Sequence, residues 1–546
     1  MEHKLLNLDY FVFAIYFVIV AGYGYYIYNR KKKASADTKD FFLAEGSLTW
    51  WAIGASLIAS NISAEQFIGM SGSGFKMGLA ISTYEWMAAA TLLVVAIFFL
   101  PIYLKNKIYT MPQFLLQRYD SRVSTVMAVF WLLLYVFVNL TSILYLGALA
   151  VSTISGFSFT ACMIGLAIFA VIITLGGMKV IGFTDVIQVF FLILGGLATT
   201  YLALNLVSQN VGTGGDSYSI NGMMEGLGLL RQKAPEHFHM IFDKSNENYM
   251  ELPGLAVLIG GMWIVNLNYW GCNQYITQRA LGADLRTARR GLLFAGFLKL
   301  LMPIIVVLPG IATYVLWRNG MFQEEMQGMV DGVKKVKPDQ AYPILLNLLP
   351  AGLKGLSFAA LTAAIVASLA GKANSIATIF TLDIYKHFFK KDATEQDQVK
   401  VGRIVIIVSC IIAAIVAPAL KSLDQGFQFI QEYTGFISPG VFAIFILGFF
   451  WKRTTANAAL AGAALAIPLS VWLKFQFTTL PFINRMGWVF LIIVAVMAVI
   501  SLADPRSKDN PKALRIDASM FRLDTAFTIG AILICGILAA LYTVFW

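Results

Sequence analysis

Charge is what this 546-residue chain has least of: Asp, Glu, Lys and Arg make up 13% of it, against 58% hydrophobic residues, and the mean hydropathy is +0.72. Soluble globular domains carry about a quarter of their residues as charges, so that class is excluded and a polytopic membrane protein remains. Histidine is scarce too. His3, His237, His239 and His387 fall in tails or loops, which reads as surface histidine, with a metal at His237 and His239 as the alternative. The four cysteines, Cys162, Cys272, Cys410 and Cys535, lie in or beside apolar runs without metal-ligand spacing, which points to packing. There is no Walker loop, no HExxH helix and no GxSxG elbow, so nucleotide-driven pumping and hydrolytic chemistry have no motif to rest on. The opening MEHKLLNLDY lacks the basic region and cleavage site of a secretory signal, so the first apolar run is expected to stay in the mature chain.

What the chain does have is a series of apolar runs, about fourteen if each crosses some 30 Å of hydrocarbon. The net charge of +11 gives no support to nucleic-acid binding, because the basic residues sit in short clusters between these runs. The first run, Tyr10 to Tyr28, is followed by Arg30, Lys31, Lys32 and Lys33, which places that end in the cytoplasm. Alternating from there puts Lys105 and Lys107, Arg118 and Arg122, Lys179, Arg279 to Arg290, Lys386 to Lys391, Lys452 with Arg453, and Arg506 to Arg515 inside. The polar inserts Ser208 to Glu251 and Arg318 to Gln340 fall outside. An even number of spans with both termini outside follows.

One stretch organises the rest. Leu57 to Met87 begins and ends as apolar helix, yet it holds Asn61, Ser63, Glu65, Gln66 and four glycines, with Glu85 close behind. Polar groups at membrane depth are tolerated where they face a water- or substrate-filled cavity; the competing reading is a pair of helices packed closely through glycine. The span near Trp50 to Met70 is interrupted around Ala59 to Ser63, and Pro253 to Tyr275 carries Asn266, Asn268 and Gly271 midway. These are the second and seventh spans. Interrupted helices at matching positions of two halves point to a transporter whose site lies at the bilayer midplane between inverted repeats, here the second to sixth and seventh to eleventh spans.

Among the groups that should not be in a membrane are Gln66, Glu85, Asn139, Asp185, Gln188, Asn266, Lys299, Asn374 and Gln431. Amides and carboxylates suit a polyhydroxylated ligand, since every sugar hydroxyl both donates and accepts. Lys299, in FLKLLMP, is expected to pair with a carboxylate or ligand oxygen, the alternative being a side chain that snorkels to the interface. Tyr269 and Trp270 offer an aromatic face to a sugar ring, or simply pack helices. Ser368, in the small-residue run AAIVASLAGKANS, could join carbonyls freed near Ala59 and Ile62 to bind an alkali cation, or serve helix packing alone. Asp185 either holds negative charge nearby or caps a helix.

The segments GASLIASNISAEQFIGMSGSG, STYEWM, FVNLTSILYLG, FTDVIQVFFLILGG, LPGLAVLIGG, NYWGCNQYITQR, ATIFTLDIYK and IQEYTGFISPG together resemble the sodium/solute symporter family, most nearly its bacterial sodium/galactose branch. The resemblance implies an all-α, leucine-transporter-like fold with a core of two inverted five-helix repeats. It implies a sugar site of Gln66, Glu85, Asn266, Lys299 and Gln431, with Asn61 nearby and Tyr269 stacking on the ring as inner gate. Met70, Tyr84 and Phe427 would cap the site from outside. Sodium would bind the carbonyls of Ala59, Ile62 and Ala364 with the Ser368 hydroxyl, and Asp185 would lie on the ion's exit path. Two residues depart from the family pattern: Ala367 removes one oxygen ligand beside the sodium, and Ala88 replaces a serine after YEWM, which bears on the preferred sugar epimer.

The expected protein is thus a multi-pass carrier of the cell membrane, not an enzyme, that couples inward sodium movement to monosaccharide uptake. Other readings are a same-family carrier of myo-inositol or sialic acid, and a sugar sensor that does not transport. The expected organisation is residues 1–33 as a first helix with a basic end, 47–275 as the first repeat plus the opening helix of the second, 276–453 as the remainder of the second, and 454–546 as three peripheral helices.

Overall fold

The computed structural model describes residues 5–30, 48–108, 110–175, 178–212, 218–330, 333–422 and 426–546. The basic residues Lys31 to Lys33 and the Gly176 to Gly177 part of the loop expected before Asp185 lie outside these. The helices that matter for the site are α1 (Asn7–Arg30), α2 (Trp50–Asn61), α3 (Thr83–Val94), α4 (Met178–Val211), α5 (Gly261–Gly271), α6 (Gln274–Leu281), α7 (Leu285–Arg318), α8 (Leu353–Ile379), α9 (Gly426–Thr434) and α10 (Ser438–Phe450). One antiparallel hairpin, β1 (Gln327–Val330) with β2 (Val333–Val336), pairs Gln327 with Val336. The all-α expectation is amended by that hairpin alone among the described residues.

Nine helices among the described residues are long and apolar enough to cross a bilayer, and two bent pairs raise this to eleven. Two shorter apolar helices, Asn7–Val20 and Phe159–Thr174, add to these. The sequence estimate is higher partly because neighbouring runs join. Glu65–Lys105 is a single 41-residue stretch, about 60 Å at the α-helical rise and twice the hydrocarbon thickness. Gly78 divides it. Its φ is +72°, and an added Cβ would lie 2.4 Å from the His237 carbonyl oxygen, so no other residue fits this turn without moving the loop behind it.

Large apolar side chains such as Phe190, Ile259, Ile415, Phe475, Val499 and Ile532 remain exposed on the outer helices, which suits a belt facing lipid. Inside that belt lies α8, buried along almost its whole length. It packs against α1, α2, α4 and α6, while α7 runs along α2 and α3. Alanine, serine and glycine dominate the middle of α8, and this lets neighbouring backbones come close. At Gly371 an added Cβ would meet Tyr275 Cε2 at 2.8 Å and the Arg279 guanidinium at 3.2 Å.

Not every basic residue near the membrane edge is a topological signal. Arg118 is 1% exposed, and its guanidinium donates to the carbonyls of Gly448, Trp451, Lys452 and Thr454 at 2.8–3.3 Å. It thereby satisfies carbonyls at the end of α10 that have no helical donor. Arg118→Ala should destabilise the purified protein by on the order of 3 kcal/mol, seen as a lower melting temperature in detergent. Arg122→Ala, whose side chain is 62% exposed in a pair with Asp120, should change it little.

The histidine expectation is corrected at His237. It is buried, stacks on Tyr314 with centroids 3.9 Å apart, and places Nε2 3.0 Å from the Phe75 carbonyl. Burial pushes its pKa below the usual imidazole value. Cys162, Cys272 and Cys410 are buried and Cys535 is exposed, all as free thiols.

Candidate functional site

The site begins where α2 stops. Ile62 leaves the helix with φ −78° and ψ 114°, and the Ser63 N–H donates to its near neighbour Gln66 Oε1 at 3.0 Å instead of back to Ala59. The Ser63 hydroxyl accepts from the Glu65 N–H at 3.2 Å, and the chain restarts as a π-helical turn, Glu65–Met70. Gln66 therefore caps the break that it borders. The carbonyls of Ala59 and Ile62 lose their regular partners, because Ser63 N is turned away and Gln66 N donates to the Ser63 carbonyl. The Ser60 carbonyl between them accepts from Ser368 Oγ at 3.1 Å and from the Tyr275 hydroxyl, which lies 3.4 Å from Ser368 Oγ.

A second break joins α5 to α6, which meet at 51°. It falls at Cys272 and Asn273, a few residues beyond the expected interruption. Asn266 does not unwind its helix, since its Nδ2 donates to the Met262 carbonyl at 3.1 Å within the same turn. Asn273 instead starts α6, its Oδ1 accepting from the Tyr275 N–H at 3.1 Å and from the Tyr135 hydroxyl. A third break, of 48°, separates Phe427–Thr434 from α10. Gly435 followed by Pro439 was its sequence signal.

Between these breaks lies one cavity. Asn61, Gln66, Glu85, Asn266, Tyr269, Lys299 and Gln431 all line it, with Tyr84, Ala88 and Phe427. Lys299, 1% exposed on α7, pairs with Glu85 of α3 at 2.5 Å, and its ammonium also donates to Asn61 Oδ1. That geometry rules out snorkelling. Asn61 Nδ2 in turn donates to the Tyr269 hydroxyl at 3.2 Å, so a continuous polar chain runs from Glu85 through Lys299 and Asn61 to Tyr269. The Lys299 ammonium also lies 5.3 Å from the centre of the Trp270 ring, a cation–π contact that helps hold a charge away from water.

Tyr84 and Phe427 meet edge to face at 5.1 Å in the wall of the cavity, and Met70 is fully buried without lining it. Ala59, Ile62, Ala364 and Ser368 do not line it either, and all four are buried. Asp185 sits well inside α4, so the helix-cap reading fails. Its carboxylate accepts from Ser56 Oγ at 2.7 Å and lies 3.7 Å from Arg279. Arg279 donates to Ser56 Oγ and to the Tyr275 carbonyl, which links Asp185 to the Ser368 region through α6.

Reading the sequence for isolated polar residues had picked out Asn139, which does line the cavity, together with Gln188 and Asn374, which do not. Glu65 and Asn268, noted in the sequence only as polar groups of the two interrupted spans, line it too, as do Trp131, Asn273 and Lys372, which the sequence pattern does not single out. Asn273 was findable as a helix start after a glycine. Lys372 was hidden among the small residues that end the AAIVASLAGKANS run.

Comparison with known proteins identifies the family and the fold. The sequence profile of the Sodium:solute symporter family matches residues 41–465. The chain is 48% identical over 550 residues to the sodium/glucose cotransporter of Vibrio parahaemolyticus, covering 100% of this chain and 99% of that one. It is 33% identical to sodium/myo-inositol cotransporter 2 of Sus scrofa, over 86% of this chain and 70% of the relative. Among solved structures, a substrate-bound, outward-open Na+-coupled sialic acid symporter superposes with a TM-score of 0.76 at 22% identity, covering 91% and 98% of the two chains. A nucleobase-cation-symport-1 family transporter in a closed conformation superposes at 0.52 with 14% identity, over 90% and 98%. With the profile spanning most of the sequence and a relative of this similarity matching it end to end, the chain belongs to the sodium:solute symporter family.

Proposed function

We propose that this protein couples inward sodium movement to uptake of a monosaccharide of the galactose or glucose type, by alternating access across the cell membrane. The observation that carries the reading is one cavity, lined by Gln66, Glu85, Asn266, Lys299 and Gln431, that opens beside an unwound turn of α2. Buried donors and acceptors of both kinds suit a neutral ligand with many hydroxyls, each of which must be paired once it leaves water. The name of the Vibrio parahaemolyticus relative, a sodium/glucose cotransporter, points the same way.

In this reading sodium, as cargo, binds the carbonyls of Ala59, Ile62 and Ala364 with Ser368 Oγ, and thereby ties α2 to α8. Hard oxygen ligands at the break of a discontinuous helix suit an alkali cation. Sugar then binds between α3, α5, α7 and α9, and Met70, Tyr84 and Phe427 close the outer side. Tyr269 is the inner gate, and Asp185 stands on the ion's way out. The membrane potential adds about 2.3 kcal/mol per charge per 100 mV to the driving force. The two inverted five-helix repeats, the division at 47–275 and 276–453, the peripheral helices of 454–546, and both termini outside belong to the same proposal.

The test is uptake of labelled galactose into proteoliposomes. Replacing external sodium by choline should reduce the initial rate to near the leak through protein-free vesicles. Uptake that is the same in choline would refute sodium coupling. Competition by glucose, myo-inositol and sialic acid against the label then ranks the substrates.

A further inference from the structure

The proposed sodium ligands are not the only charged chemistry beside the ion. Lys372 lies on α8 four residues after Ser368, about 6 Å along the helix axis. It is 4% exposed and lines the cavity. Its ammonium sits 5.0 Å from the centre of the Tyr275 ring, and the hydroxyl of that ring bonds the Ser60 carbonyl and approaches Ser368. The acid that shares this wall with it is Glu65, which opens the π-turn after the break in α2. Glu65 also lines the cavity, and its Oε1 is buried with no hydrogen-bond partner.

The other charged groups of the cavity and its surroundings have partners, and among the phenols there only Tyr84 keeps an unpartnered hydroxyl. Glu85 is paired with Lys299, and Asp185 with Ser56 and Arg279. Tyr269 and Tyr135 bond to Asn61 and Asn273. One lysine and one carboxylate are left in the cavity wall, Lys372 one helical turn beyond Ser368 on α8 and Glu65 on the π-turn that follows Ile62.

Resting on the symport reading above, we propose that Lys372 is a resident cation between the sugar cavity and the proposed sodium ligands. It neutralises Glu65, occupies the place that a second sodium would otherwise find there, and weakens binding of the first by repulsion. Two like charges within several ångströms in an enclosed, poorly screened space interact strongly. A carboxylate left without its counter-ion in such a space becomes a cation site. The ammonium is supplied by the chain, so it adds positive charge without being transported.

The inference makes a charge-ordered prediction for sodium dependence of galactose uptake in proteoliposomes. Lys372→Met should lower the half-saturating sodium concentration by about tenfold and raise the Hill coefficient above that of the parent protein. Glu65→Gln should raise the half-saturating concentration by a similar factor. Lys372→Arg keeps the charge and should stay within about threefold of the parent, and so should the doubly neutral Lys372→Met/Glu65→Gln variant. A merely structural lysine would not produce this compensation. If Lys372→Met fails to fold, Glu65→Gln still predicts a rise of about tenfold and Lys372→Arg still predicts little change. Sodium-dependent uptake with the same half-saturation in every variant would overturn this inference and leave the symport reading standing. Uptake indifferent to sodium in the parent protein would overturn both.

Discussion

Lys299→Met is expected to reduce saturable sugar uptake on the order of 100-fold at physiological sugar concentrations. The side chain's length is nearly kept, but two things are lost. The Glu85 carboxylate, 3% exposed, loses its ion-pair partner, and Asn61 loses the donor that orients it toward Tyr269. A charged hydrogen bond inside a protein contributes roughly 1.5–3 kcal/mol, and each 1.4 kcal/mol is about a factor of ten in binding. Breaking a buried pair also leaves an uncompensated charge, which destabilises by roughly 3–5 kcal/mol. The double variant Lys299→Met/Glu85→Gln separates the two effects, because both charges are gone. It should regain much of the thermal stability lost in Lys299→Met but little of the uptake. Recovery of uptake along with stability would mean that the pair holds the fold and does not meet the sugar. Equilibrium binding of galactose to the purified variants in detergent makes the comparison independent of how much protein reaches the membrane.

Much of this arrangement was legible from residue chemistry. A lysine inside FLKLLMP either snorkels to the interface or finds a carboxylate or ligand oxygen, and Glu85 decides it for the pair. The break after Asn61 followed from polar side chains and glycines packed into a span too apolar to be a loop. Gln66 shows why it is stable, since its own side chain takes the amide that the helix gives up.

The failures have equally physical causes. Asn266 and Asn268 look like helix breakers, yet each has a partner in place, the Met262 carbonyl and Ser438 Oγ, so the helix runs on to Gly271. Arg118 looks like one more positive-inside residue, and only the return of the chain more than three hundred residues later supplies the carbonyls that bury it. His237 sits in a polar insert, and nothing local says that Tyr314 will cover it. Contacts between residues far apart in sequence decided Asn268, Arg118 and His237, and neither pattern nor propensity carries that information; Asn266 is held by its own helix, one turn back.

Ser368→Ala is the second large effect. It removes the one side-chain oxygen in the proposed ligand set, in a chain where Ala367 has already removed another. The half-saturating sodium concentration should rise by about 10- to 100-fold, the range expected for loss of one contact to a charge. Sugar affinity at saturating sodium should change by less than about threefold, because Ser368 does not line the sugar cavity. The hydroxyl also bonds the Ser60 carbonyl, so stability should fall by about 1 kcal/mol. Loss of sugar affinity at saturating sodium, with sodium dependence unaltered, would place Ser368 in the wrong site.

The central claim is that sodium and sugar bias the same conformational equilibrium from two adjoining sites. A ligand shifts such an equilibrium only through its different affinity for the two forms, and the coupling between two ligands must be equal in both directions. The most direct test is therefore equilibrium binding to the purified protein, with galactose affinity measured across sodium concentrations and sodium affinity across galactose concentrations. The account predicts that each ligand tightens the other by the same factor, and that in Ser368→Ala the sodium range over which galactose affinity rises moves upward by about 10- to 100-fold. Galactose affinity that does not change with sodium would contradict it.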